Sequence, residues 1–267
     1  MADDRFEADW LRLREPVDHR SRPEELVASL ARAGAARGWS RVADLGAGTG
    51  SNLRYLDPRL SWVDHWTLVD HDPALLLRAT DPAPGRTLER IPGALEREGL
   101  EAVDDADLVT ASALLDLVSA GWLDRLVRRC AARGAGVLLA LTWDGRIRWT
   151  PEDPDDEAIR SAVAAHQLRD KGLGPALGPG GAKAARERLL AAGYRVDEAS
   201  SPWVLQGPGD AALAMEVARG WARAAAEQVP GEADRFQGWF QRRSRAVAAG
   251  RFDLEVGHLD LLGLPGS

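Results

Sequence analysis

The sequence predicts a doubly wound α/β domain whose sheet is mostly parallel, and three observations lead to this prediction. Short apolar runs alternate with helical patterns over most of the 267 residues, as in a chain of strand–helix units. The run 135–142 is almost uninterruptedly apolar, as a strand buried on both faces should be. A glycine-rich turn at 46–50 joins a predicted strand to a predicted helix. Ligands of such sheets bind beyond the carboxyl ends of the strands.

Composition narrows the classes of function. The net charge is −7, which disfavours a general nucleic-acid binder because such a protein needs a basic face to neutralise phosphates. Cys130 is the only cysteine, and the five histidines have no metal-binding spacing, so we expect neither a disulfide nor a metal site. The sequence shows no apolar signal region and no run long enough to cross a bilayer. We therefore expect a cytoplasmic protein without membrane contact.

The first predicted strand ends in an acidic, glycine-rich motif. Its acid is Asp44, and three glycines follow at alternate positions, Gly46, Gly48 and Gly50. Backbone N–H groups at a turn between strand and helix face a ligand, and glycine lets that ligand approach closely. A dinucleotide site, G-x-G-x-x-G/A, would have glycine or alanine where Ser51 stands, so an NAD(P) oxidoreductase is disfavoured. The pattern is instead D-x-G-x-G-x-G.

This motif resembles motif I of the class I S-adenosylmethionine (SAM)-dependent methyltransferases. The resemblance implies a Rossmann-like fold with seven strands, the last two joined antiparallel. It also implies that Asp44 lies near the ammonium group of SAM. SAM has no pyrophosphate, so a carboxylate beside the glycine turn is electrostatically favourable for SAM and unfavourable for NAD.

A second acidic position follows the next predicted strand. Residues 66–69 are apolar and end at Asp70, after which His71, Asp72 and Pro73 lead into a helix. By resemblance Asp70 binds the ribose hydroxyls, and His71 or its neighbour flanks the adenine. Alternatively, Asp70 and Asp72 only cap the helix. The expected cofactor-binding residues are Asp44, Gly46, Ala47, Gly48, Gly50, Asn52, Asp70, His71 and Ala111.

The end of the fourth predicted strand bears on the methyl acceptor. Methyltransferases that act on nucleic-acid bases or glutamine usually carry an Asn/Asp-Pro-Pro-aromatic tetrad here. This sequence has Ala111 to Leu114 instead, with neither proline nor aromatic residue. The departure favours a small-molecule O-, N- or C-methyltransferase. Asp116, just beyond, is a candidate site acid, or it caps the following turn.

The remaining pattern predicts one domain, 1–267, with helical additions. A polar turn at 15–23 is expected between two N-terminal helices, and its His19, Arg20 and Arg22 either face a substrate or form a solvated loop. Further strands are expected at 86–92, 107–111, 135–142, 194–205 and 252–264. Segments 144–180 and 207–250 interrupt the alternation. With residues 1–38 they are expected to form a lid over a small substrate.

A polar cluster in the first of these insertions is the predicted acceptor site. His166, Arg169 and Asp170 share a helix face, and Lys171, one of only two lysines, follows. We expect His166 to act as the catalytic proton acceptor and Arg169 or Lys171 to hold an anionic group. The alternative is a solvated helix end, where basic residues suit the helix dipole. Two further residues expected to bind substrate are Arg146 and Trp149.

The sequence thus predicts a SAM-dependent methyltransferase that transfers a methyl group to oxygen or nitrogen of a small anionic metabolite and releases S-adenosylhomocysteine (SAH). Two alternatives stay open, a SAM-binding protein without catalysis and a methyltransferase acting on RNA or protein.

Overall fold

The computed structural model describes residues 8–266, and its centre is one eight-stranded sheet. The spatial order of the strands is β3-β2-β1-β4-β5-β8-β6, and β7 also pairs with β8. The strands β1 to β5 are parallel, and β8 is antiparallel to β5, β6 and β7. Their bounds are β1 Arg41–Leu45, β2 His65–Asp70, β3 Thr87–Pro92, β4 Leu108–Ser112, β5 Gly136–Thr150, β6 Tyr194–Ser200, β7 Trp203–Gln206 and β8 Asp253–Pro265.

Helices cover both faces of the sheet, which confirms the predicted doubly wound α/β class. Their bounds are α1 Ala8–Ser21, α2 Glu24–Arg37, α3 Ser51–Leu56, α4 Pro73–Leu76, α5 Leu100–Ala102, α6 Ala120–Arg133, α7 Asp156–Gln167, α8 Gly181–Ala191, α9 Gly207–Gln228 and α10 Ala233–Ala248. Among residues 8–266, no helix combines the length and apolar content needed to cross a membrane.

The predicted glycine turn, residues 46–50, lies between β1 and α3. Gly46, Gly48 and Gly50 all have positive φ, between +53° and +78°, a region that side chains with a Cβ rarely adopt. The backbone N–H groups of Gly46 and Ala47 donate to the Val69 carbonyl over 2.9 and 3.1 Å. These bonds fix the turn to the end of β2. The turn therefore stands where β1 meets its two neighbours, at the topological switch point.

The fifth strand is longer than the sequence predicts. It was expected to end at 142, but β5 continues to Thr150 and pairs antiparallel with β8 over most of its length. The polar residues that interrupt the apolar run alternate with Ile147 and Trp149, which turn inward, the pattern of a strand with one solvated face. Its register shifts near Leu141, which has a φ of +52°. Part of the expected insertion is thus sheet.

Two other boundaries also differ from the prediction. The expected strand 194–205 is divided into β6 and β7, so the sheet has eight strands rather than seven. The expected polar turn 15–23 is mostly helix, because α1 continues past Pro16 to Ser21. Within α1, Arg14 pairs with Asp18 at 2.8 Å, one turn later. The first seven residues of the expected lid segment 1–38 lie outside the described residues.

The two insertions and α1 share a hydrophobic core. Helices α7, α9 and α10 pack together beside β7 and the outer part of β5. Trp149, Phe236 and Trp239 are fully buried there. The predicted helices of 144–180 and 207–250 are therefore present, while their role as a substrate lid stays a prediction.

Candidate active site

The glycine turn is tied to the acid at the end of β2. The Gly48 N–H donates to Asp70 Oδ2 over 2.8 Å, and the Asp72 N–H donates to Asp70 Oδ1 over 3.0 Å. Asp72, and not Asp70, caps α4 by accepting from the Ala74 N–H at 2.8 Å. The exposed His71 ring has its Nδ1 3.2 Å from Asp70 Oδ1. The capping interpretation thus holds for Asp72 and not for Asp70, and ribose binding by Asp70 stays a prediction.

Asp44 is buried at the end of β1 with half of its carboxylate unpaired. Its Oδ1 accepts a 2.9 Å hydrogen bond from the Asn52 amide, while its Oδ2 has no partner in the described structure. Burial raises the pKa of Asp44 to about 7, and the charge of Asp70 adds to this, whereas Asn52 and Arg22 lower it. A buried oxygen of this kind is costly unless a donor reaches it. A ligand ammonium is a suitable donor.

Arg22 lies on the other side of the same amide. Its Nη1 donates to Asn52 Oδ1 over 3.0 Å and its Nε donates to Asp260 Oδ2 over 2.7 Å, while Nη2 is buried without a partner among residues 8–266. Asn52 also donates to Thr110 Oγ1, which fixes its orientation. One unpaired cationic N–H and one unpaired carboxylate oxygen thus flank Asn52. This arrangement matches the two charges of an amino acid.

The buried position of Arg22 corrects the expectation of a solvated loop at 15–23. Its ion-pair partner Asp260 lies in β8, so the pair joins the two ends of the chain. The sequence did contain a signal, because Asp260 interrupts the apolar run 259–264. A buried acid in such a strand needs a cationic partner.

Two leucines pack directly on the glycine turn. A Cβ built on Gly48 would lie 3.1 Å from Cδ1 of Leu11 in α1, and one on Gly46 would lie 3.3 Å from Cδ1 of Leu114. Because the turn has no side chains at these positions, α1 and the segment after β4 approach its backbone closely. Together they form the cover of the site.

Beyond this cover lies a second group of titratable side chains. Burial raises the pKa of Asp116 to about 6, although the charges of Arg14 and Lys171 act in the opposite direction. Burial, with the charge of Arg14, lowers the pKa of His258 to about 3. The His258 ring packs on Trp203 with centroids 5.1 Å apart, and its Nδ1 has no partner in the described part of the chain.

The predicted acceptor residues are not all brought together. His166 Nε2 lies 3.1 Å from Glu227 Oε2, and Arg169 donates to the Glu227 carbonyl over 2.9 Å, so both are attached to the end of α9. Burial is the main reason that the pKa of His166 is lowered, and the charge of Lys171 contributes. The charge of Lys171 therefore acts on both His166 and Asp116. The roles expected of His166, Arg169 and Lys171 stay predictions.

The other two predicted substrate residues have different surroundings. Arg146 is exposed and pairs with Asp144 at 2.6 Å. Trp149 is 2% exposed and packs edge-on against Trp239, with the Arg243 guanidinium 5.0 Å from its ring centroid. The structure thus gives Trp149 a place in the core, in contrast to the expected place in a substrate pocket. We omit both residues from the acceptor site.

No group of three or more potential metal ligands occurs within residues 8–266.

No protein-family model and no curated protein matches the sequence. Solved structures do resemble it. One, described as a putative type II methyltransferase from Anaeromyxobacter dehalogenans, is 18% identical over 91% of this chain and 97% of its own, with a TM-score of 0.52. The chain has the class I methyltransferase fold. A second structure with this fold is a cyclopropane-fatty-acyl-phospholipid synthase-like protein from Lactobacillus casei, 15% identical over 94% of this chain and 92% of its own, with a TM-score of 0.51. At these identities the methyltransferase fold is established, and the acceptor is not.

Proposed function

We propose that this protein binds SAM and transfers its methyl group to oxygen or nitrogen of a small anionic molecule. One observation carries the proposal. The unpaired Asp44 oxygen and the unpaired Arg22 N–H flank Asn52 beside a glycine turn that is itself tied to Asp70. This set of groups is complementary to a ligand that has an amino-acid part and a nucleoside part.

Each group of the site has a defined role in binding. Asp44 would accept from the ammonium and Arg22 would pair with the carboxylate, each supplying a buried polar atom that has no partner among the described residues. Asp70 retains lone pairs for ribose hydroxyls, and the exposed His71 would lie beside the adenine. When bound, SAM supplies a methyl group on a positively charged sulfur. The chain's own contribution is to orient this ligand and exclude water.

The rival functions fit these residues less well. NAD carries a pyrophosphate, for which the ionised Asp44 would be repulsive. An RNA methyltransferase needs a basic surface to neutralise phosphates, and an overall composition of 34 basic against 41 acidic residues disfavours one. A SAM-binding protein without catalysis would share this site, and only a measurement of methyl transfer distinguishes it from the proposed enzyme. The anionic character of the acceptor is supported by Lys171, which has no ion-pair partner within residues 8–266 and lies near Asp116.

Calorimetry with three ligands tests the binding proposal. We would titrate the native protein and three variants with SAH, with NAD, and with 5′-methylthioadenosine, which lacks the amino-acid part. Losing one charged hydrogen-bond partner costs on the order of 2–3 kcal/mol, which is tens of fold in affinity. Asp44→Asn should therefore weaken SAH by tens of fold and leave methylthioadenosine within about twofold. Asp70→Asn should weaken both nucleosides.

The matched control is Asp72→Asn, because Asn also caps helices and retains the backbone N–H that donates to Asp70, while the Asp72 side chain only caps α4. It should bind all ligands like the native protein. Tight binding of NAD, or unchanged SAH affinity in both Asp44→Asn and Asp70→Asn, would refute the proposed function.

A further inference from the structure

Two segments of the chain lead from the glycine turn to the same buried acid. On α1, Leu11 packs on the turn and Arg14 follows one helical turn later, on the same face. After β4, Leu114 packs on the turn and Asp116 follows two residues later. The charge of Arg14 acts on Asp116. Asp116 therefore follows, by two residues, a side chain that packs on the glycine turn, and it lies within electrostatic range of Arg14 on the helix that covers this turn.

The loop after α7 is a third segment that packs beside Asp116. The Gly178 N–H donates to the Asp116 carbonyl over 3.1 Å, and the Leu177 N–H donates to the Val118 carbonyl over 2.8 Å. These bonds hold residues 170–178 against the segment after β4 and bring the charge of Lys171 within range of Asp116. No side chain of the described residues hydrogen-bonds to the Asp116 carboxylate, which accepts from its own backbone N–H, and the residue is only 8% exposed. The acid is buried, near two cations, and available to a ligand.

Arg14 and Lys171 differ in what they can bind. Arg14 already donates twice to Asp18, at 2.8 and 3.2 Å, and its guanidinium lies 4.9 Å from the ring centroid of Trp203. The Arg14 guanidinium is thus largely occupied by contacts within the fold. Lys171 is half-buried without such a partner in the described part of the chain. Of the two cations, Lys171 is the one that an added anion would reach.

We propose that Asp116 is the catalytic base for the methyl acceptor and that Lys171 binds the acceptor's anionic group. The inference rests on the proposed function and extends it to the substrate class, a small acid that also bears a hydroxyl or amino group. In the step, a bond forms between the acceptor oxygen or nitrogen and the methyl carbon. The sulfur–methyl bond breaks with its electron pair staying on sulfur, and the acceptor proton passes to the Asp116 carboxylate.

Of the two neighbouring histidines, His258 is a weak base and His166 already has a hydrogen-bond partner. Asp116, with a pKa of about 6, is ionised near neutral pH and still accepts a proton readily, whereas His258, at about 3, is a poor acceptor. His166 is paired with Glu227 on α9. The titratable and charged groups that face Asp116 are Arg14 from α1 and Lys171 from the loop after α7, and both favour its ionised form.

The test begins with the native protein, SAM bearing a deuterated methyl group, and the fraction below about 1 kDa of an extract of the source organism. Mass spectrometry would identify the labelled product, and the pure acceptor would then be used with the variants. Asp116→Asn should lower kcat by about 100-fold while SAH affinity, measured by calorimetry, stays within about twofold. Asp116→Glu should recover part of the rate. The native rate should rise as pH increases through about 6, and this limb should be lost in Asp116→Asn.

Lys171→Gln should raise KM about tenfold or more with little change in kcat, because the anion contact is made equally in the ground and transition states. Lys183→Gln is the matched control, since Lys183 is the only other lysine and its side chain is 82% exposed. It should behave like the native protein.

Three results would overturn the inference: a labelled product without an anionic group, an Asp116→Asn rate near the native one, or SAH binding by native protein without any labelled product. If Asp116→Asn does not fold, the pH profile of Asp116→Glu decides, and a limb unchanged from the native one would contradict the base role. Failure of the native protein to bind SAH would instead refute the proposed function.

Discussion

The Asp70 carboxylate holds the backbone of Gly48, whose N–H donates to Asp70 Oδ2 over 2.8 Å. The acid expected to bind ribose therefore also fixes the shape of the turn that receives the ligand. Both oxygens of this carboxylate already accept a backbone N–H before any ligand is considered. Stability and ligand affinity are thus coupled at this residue.

We expect Asp70→Ala to be less stable than Asp70→Asn. Alanine leaves the Gly48 N–H without an acceptor, which costs about 1–3 kcal/mol, whereas asparagine retains one acceptor oxygen. Urea unfolding monitored by tryptophan fluorescence measures the difference. Equal stability of the two variants would show that the Gly48 bond contributes nothing to the fold.

Asp44 should destabilise the ligand-free protein at alkaline pH. Its pKa is raised from 3.8 to about 7 in the folded state, so the folded state holds the proton more tightly, and stability falls as pH rises from about 4 to 7. Above pH 7 the buried charge costs on the order of 4 kcal/mol. Asp44→Asn should therefore unfold at a higher temperature than native protein at pH 8.

The same pair compared at pH 5 serves as the control, because the native carboxyl is then mostly protonated and the two proteins should differ much less. An Asp44→Asn variant that is less stable than native protein at pH 8 would contradict the buried-charge interpretation.

His258 should make the protein sensitive to acid. Burial lowers its pKa from 6.5 to about 3 in the folded state, so its contribution to stability is complete above pH 6.5 and is lost as pH falls toward 3. Between pH 7.5 and 5 this loss is about 2 kcal/mol. Because the pKa of Asp44 is shifted in the opposite sense, the contribution must be measured against His258→Gln. The stability advantage of native protein over this variant should shrink by about that amount.

Gly48→Ala should impair the site beyond the cost of its backbone conformation. Its φ is +53°, and the new Cβ would lie 3.1 Å from Leu11. Gly38→Ala is the control, since Gly38 has a φ of +66° and its Cβ would meet nothing within 4 Å. Each should lose about 1–2 kcal/mol of stability to the left-handed conformation. Only Gly48→Ala should also lose SAH affinity, and Leu11→Ala in the same chain should restore part of its stability.

Local sequence patterns predicted the strand, turn and helix around the candidate site. β1, the glycine turn and α3 were predictable because strand pattern, glycines and helix start are adjacent in the sequence. The continuation of β5 was not, because its partner β8 begins more than a hundred residues later. The Arg22–Asp260 pair spans 238 positions, a separation at which sequence spacing carries no information about contact. The arrangement of the glycine turn was therefore predictable from the sequence. The position of Arg22, which depends on long-range pairing, was not.

The packing of Leu11 on the glycine turn bears on the timing of binding. The second half of α1 is held to α3 by Glu15 and Arg54, paired at 2.6 Å through two oxygens, whereas Leu11 lies in the first half. A nucleoside that contacts the Gly48 backbone has to displace Leu11 first. Association should then reach a ceiling at high ligand concentration, set by the rate at which the helix lifts, and departure of the spent nucleoside should meet the same barrier.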